Sequence, residues 1–92
     1  MSKRFSNVWD AIEDTPAEVE NMKLRSRLMM ILKDHIKAQG WTQAEAAKRL
    51  NVTQPRISDL MRGKIDLFGL DSLVTMLRAA GLQLEFRVKQ AA

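Results

Sequence analysis

Apolar residues in the first half of the chain recur at three- and four-residue steps: Leu24, Leu28, Ile31, Leu32 and Ile36. That spacing places them on one face of an α-helix. Ahead of the stripe stands Thr15-Pro16-Ala17-Glu18, which predicts the start: a capping Thr, a Pro at the first helical position and a Glu at the third to close a capping box. Gly40 supplies a left-handed stop. Met22, Met29 and Met30 widen the stripe and are expected to fill the core, with His35 as a partly buried structural side chain beside it. Thr42-Gln43-Ala44-Glu45 is a second capping box, opening a short helix through Leu50. Its Ala44, Ala46 and Ala47 leave room for a close helix crossing. Asn51 then falls where a tight turn needs positive φ, and Val52 can plug that turn into the core. Thr53 caps a third helix with Pro55 in its first turn, Ile57 and Leu60 on its apolar face and Gly63 as its stop. A fourth helix is predicted over about residues 70–80, entered through Gly69, with Asp71 at the positive end of its dipole, Phe68 stapling against Leu73, and Gly81 ending it.

After Gly81 the period changes. Residues 82–89 alternate apolar and polar, the signature of a half-buried β-strand, with Leu82, Leu84, Phe86 and Val88 on one face. One strand cannot satisfy its own backbone. Its partner is either the short, weakly patterned stretch 4–9 or the same strand of a second copy. We favour the second copy, giving a homodimer with paired C-terminal strands, while an edge awaiting a different protein stays open. The chain thus divides into an acidic extension over 1–14, whose order the sequence leaves open, a helical domain over 15–81 and a dimerisation strand over 82–89.

Composition narrows the function. Ninety-two residues, 46% hydrophobic and 28% charged, make one small soluble domain. With no cysteine and one histidine, disulfides, thiolate catalysis, thiolate zinc sites and two-histidine metal motifs are excluded. No metal or cofactor is expected. No glycine-rich phosphate loop or catalytic triad is present, so an enzyme is the least favoured class. The longest apolar run, residues 28–32, is far short of the roughly 20 needed to span a bilayer or the 7–15 of a signal-peptide core, which points to a cytoplasmic protein with no membrane partner. The formal net charge of +4 favours an anionic partner. It is unevenly spread: residues 1–20 carry −3, 21–40 carry +4, 41–64 carry +3, and the remainder balances.

The second basic piece coincides with a motif. From Thr42 to Gly63 the order is cap, short helix, Asn turn, cap, second helix and glycine stop, which describes a helix-turn-helix. Arg56 in the first turn of the second of these helices opposes the helix dipole unless an anion or a guanine edge lies opposite. Against DNA, Gln54 suits the N6 and N7 edge of adenine, Arg56 the O6 and N7 edge of guanine, and Pro55 a thymine methyl. Asp59, three residues beyond Arg56, either orients that guanidinium, which we favour, or accepts from cytosine N4. Ser58, Arg62, Lys64 and Gln43, together with the capping Thr53, are candidates for phosphate contacts.

Residues 41–64, WTQAEAAKRLNVTQPRISDLMRGK, resemble the lambda-repressor-like, Xre-type helix-turn-helix family. The similarity runs on through Phe68 and Leu73 to the terminal strand and back to Asn21-Met22-Lys23-Leu24-Arg25, about 70 residues in all, and resembles the branch of HigA-like antitoxins. With the elements read above, it leads us to expect an all-α, lambda-repressor-like bundle of four to five helices, the terminal strand pairing across a dimer. It also implies that Gln43 supports Gln54, as the glutamines opening these two helices do in the family. In function it implies a dimeric repressor on a palindromic operator, which neutralises a RelE/HigB-like ribonuclease toxin. Pro55 and Arg56 depart from the small polar residues of phage repressors, so no operator sequence carries over. The acidic start, with Trp9, Ile12, Glu13 and Asp14, is a candidate docking segment for a basic toxin, or a solubilising tail. Two alternatives remain at this level: a stand-alone or prophage-type repressor without a toxin, and a protein-interaction module that never meets DNA.

Overall fold

The computed structural model describes residues 15–91. Four α-helices follow one another: α1 (Pro16–Gln39), α2 (Gln43–Leu50), α3 (Gln54–Met61) and α4 (Leu70–Ala79), with a single 3-10 turn over Ile65–Leu67 between the last two. The starts lie where the capping residues predict. Thr42 Oγ1 accepts from the Glu45 amide at 3.1 Å and Thr53 Oγ1 from the Arg56 amide at 3.3 Å, each satisfying one otherwise unpaired N–H of a helix N-terminus. Asn51 takes the left-handed conformation, φ 59° and ψ 45°, which ends α2 and turns the chain into α3. The Val52 amide closes that turn on the Ala47 carbonyl at 3.0 Å.

One apolar core joins all four helices. Leu28 and Leu32 of α1, Leu50 of α2, Ile57 and Leu60 of α3, Phe68, and Leu73 of α4 are its largest fully buried side chains. Each contributes about 1.5–3 kcal/mol by leaving water. Helix α1 packs mainly on α4, and α2 mainly on α3. Buried Ala46 and Ala47 on α2 keep the second pair close.

Two expectations need correction. The predicted stripe of α1 is only partly core: Leu28, Met29, Leu32 and Ile36 are buried, whereas Leu24, Ile31 and Met22 are exposed and Met30 is 60% exposed. A helix of 24 residues spans about 36 Å, more than twice the length of its ten-residue partner α4, so its N-terminal half outruns the bundle. Adjacent residues also sit about 100° apart around a helix, which separates Met30 from Met29. The second correction concerns the terminal strand. Among the described residues there is no β-strand, and 82–91 form no regular element. Leu82 is tied down, its amide donating to the Leu77 carbonyl at 2.9 Å and its side chain packing on the core, but Phe86 and Val88 are 81% and 82% exposed. Among the described residues no second strand offers this segment a ladder, and residues 4–9, the candidate partner within the chain, lie outside the described part. No helix among the described residues is long and apolar enough to cross a membrane.

Candidate nucleic-acid interface

Helices α2 and α3 each begin with a glutamine directly after a Thr cap. Gln43 and Gln54 are exposed, as is Pro55 in the first turn of α3. The opposite side of α3 carries Ile57 and Leu60 into the core, so its orientation is fixed by packing. Past its end, Gly63 turns left-handed at φ 74°, and Arg62 and Lys64 stand exposed on either side of it. Thr53 is exposed and spends its hydroxyl oxygen on the cap, and Ser58 is half-buried. The N-terminus of α3 therefore offers amide and apolar surface, and its C-terminus offers cations.

Arg56 is half-buried, and its guanidinium is engaged by the chain itself. Its Nη1 donates to the Leu67 carbonyl at 2.6 Å and its Nη2 to Ser72 Oγ at 3.3 Å, while the guanidinium lies 4.0 Å above the Phe68 ring centroid. At the positive end of the helix dipole the guanidinium thus finds its acceptors within the chain, in a carbonyl, a hydroxyl and a ring face. Asp59 does not orient Arg56 either. Its Oδ1 lies 3.7 Å from Lys64 Nζ, and with both side chains partly exposed that pair is weak. It does hold one candidate phosphate cation near the end of α3.

A second guanidinium, which sequence spacing did not single out, meets the same segment from α1. Arg25 donates from Nε to Asn21 Oδ1 at 2.7 Å, and from Nη1 to the carbonyls of Ile65 at 3.2 Å and Phe68 at 3.4 Å. Residues 65–68 are thus held between two arginines, one on α1 and one on α3. The one local signal was Asn21, a turn before Arg25; the carbonyl partners lie 40 and 43 residues further along the chain. On α2, Arg49 bonds Glu45 at 2.9 Å and lies 5.2 Å from the Trp41 ring centroid, and Trp41 meets half-buried His35 edge-on at 5.5 Å. His35 is accordingly a packing residue. Of the candidate toxin-docking residues, Trp9, Ile12, Glu13 and Asp14 all lie outside the described part.

A capped helix, a left-handed Asn turn and a second capped helix on a shared core define a helix-turn-helix protein. Residues 11–89 match the model of a family described as a helix-turn-helix domain. The fold is also similar to a solved structure provisionally described as an XRE family transcriptional regulator, with 30% sequence identity, a TM-score of 0.75, and coverage of 80% of this chain and 83% of that one. Among curated proteins nothing matches. The chain belongs to the XRE-type helix-turn-helix family.

Proposed function

We propose that this protein is a sequence-specific DNA-binding transcriptional regulator that acts as a homodimer on a palindromic operator. The observation that carries the reading is the solvent face of the second helical pair: Gln43, Gln54 and Pro55 exposed at two helix starts, with Arg62 and Lys64 exposed beyond α3. In this reading α3 lies in the major groove, where Gln54 meets adenine and Pro55 a thymine methyl. Gln43, Thr53, Ser58, Arg62 and Lys64 contact phosphates and set the register. Arg56 and Asp59 act from behind this surface.

Titration of the protein's own promoter and of random duplex at several salt concentrations tests the proposal. The promoter should bind about a thousandfold more tightly or better. Gln54→Ala should relax discrimination at one base pair, and Arg62→Ala or Lys64→Ala should weaken every sequence alike and reduce the salt slope by about one. Equal, weak binding to both duplexes would leave a protein-interaction module instead.

A narrower reading makes the chain an antitoxin that neutralises a RelE/HigB-like ribonuclease toxin and represses its own operon. Charge supports it: residues 1–20 carry −3 in a chain of +4, and an RNA-cleaving partner would be basic. Co-expression with the neighbouring gene should then yield a co-purifying basic protein. A locus with no such gene would mark a stand-alone regulator.

A further inference from the structure

The C-terminal segment leaves the core with a row of large apolar side chains that no described residue covers. Leu84, Phe86 and Val88 are exposed, and residues 84–87 form one wall of an open groove whose other wall is α1, through Leu24, Leu28 and Ile31. With Leu24 and Ile31 also exposed, apolar side chains of helix and tail line the same groove, flanked by Glu20, Lys23 and Arg27 of α1 and by Glu85 and Arg87 of the tail. Such an exposed apolar patch has the character of an interface. Leu82 anchors the base of the segment, so its point of departure is fixed.

We propose that the occupant is a second copy of the same segment, paired antiparallel in one register centred on Phe86. The proposal rests on the homodimeric reading above and specifies its contact. Directly opposed residues in an antiparallel pair point to the same face, so registers that set apolar positions opposite charged ones are excluded by the pleat. Of the face-preserving registers near the middle of the segment, one centred on Leu84 sets Glu85 against Gln83 and Arg87 against Gly81, with no ion pair; one centred on Glu85 opposes two carboxylates, and one centred on Arg87 opposes two guanidiniums. Centring on Phe86 removes both conflicts. It sets Glu85 across from Arg87 of the other copy, twice by symmetry, with Leu84 across from Val88, Gln83 across from Lys89, and Phe86 against itself. The segment is complementary to its own reverse in charge and in hydrophobicity at once.

The natural chain has no cysteine, so single cysteines introduced into the full-length protein report register directly. F86C should oxidise to a covalent dimer, whereas L84C and V88C should each do so only when the two variants are mixed. Cross-linking of L84C or V88C alone in place of F86C would overturn the register. Sedimentation without DNA gives the second readout. E85R and R87E should each raise the dimer dissociation constant about tenfold, and E85R/R87E should restore it. Failure of the double variant to recover, or a wild-type chain monomeric at every concentration, would overturn the proposal. These side chains are exposed, so the substitutions leave the core intact, and circular dichroism checks that each variant is folded. A monomer that still selects the promoter would sink the paired segment and spare the DNA reading; a dimer that selects no duplex would do the reverse.

Discussion

At the scale of single residues, Arg56 decides most. Its guanidinium makes two hydrogen bonds and a cation–π contact between α3, the segment after it and α4, so Arg56→Ala should cost about 1–3 kcal/mol of stability. Arg56→Lys should recover little, because a point charge on a flexible stem cannot bridge a carbonyl, a hydroxyl and a ring face together. In DNA titrations against single-base variants of the promoter, Arg56→Ala should weaken all sequences alike. Loss confined to one base pair, with stability unchanged in denaturant, would mean that the guanidinium swings out to a base. The sequence could show that an arginine at this helix start needs an acceptor, since the dipole there is positive. It could not show which acceptor. Leu67 lies eleven residues away and Ser72 sixteen, distances at which only the assembled fold decides neighbours. Core positions were easier, because a helix face is a local property. Ile57→Ala or Leu60→Ala, at sites with no solvent exposure, should cost about 2–5 kcal/mol, measured by urea unfolding.

Helix starts and turns obey the most local rules, and they were the most legible elements. The Thr42 and Thr53 caps and the left-handed Asn51 all stand where residue type places them. Thr53→Ala should cost about 1 kcal/mol, and because it loosens the start of α3 it should weaken operator binding as well. Asn51→Val should destabilise more than Asn51→Gly, since a β-branched side chain tolerates positive φ least; a thermal melt of the two variants compares them. Where an element's fate depends on what covers it, the pattern was less informative. The three- and four-residue spacing of α1 was correct as helix and incomplete as burial, because nothing local says that α4 is too short to cover its first turns. Alternation over 82–89 likewise has a strand's period, yet among the described residues no strand forms there, because period alone supplies no ladder partner.

For the whole molecule, the net charge of +4 misstates the surface that meets a partner. Arg25 and Arg56 are turned toward backbone carbonyls of residues 65–68, and the acidic start, residues 1–20, is separate in sequence from the basic helix-turn-helix. The salt dependence of DNA binding should therefore follow Arg62, Lys64 and the few cations beside them, not the total count. Removal of residues 83–92, which leaves the anchored Leu82 in place, should give a folded chain that sediments as a monomer and binds the operator poorly. A truncated chain that remained dimeric would place the contact elsewhere.

The paired arginines around residues 65–68 also bear on how this fold can diverge. Connections between helices are ordinarily where insertions and deletions accumulate, since their backbone answers mainly to water. Residues 62–69 answer instead to two guanidiniums anchored on α1 and α3, and one residue more or fewer would slide the Ile65, Leu67 and Phe68 carbonyls out of their reach. Exposed side chains there, such as Asp66, can change without disturbing the fold, and changes at Arg62 and Lys64 would alter DNA binding instead, while the length of the connection stays fixed.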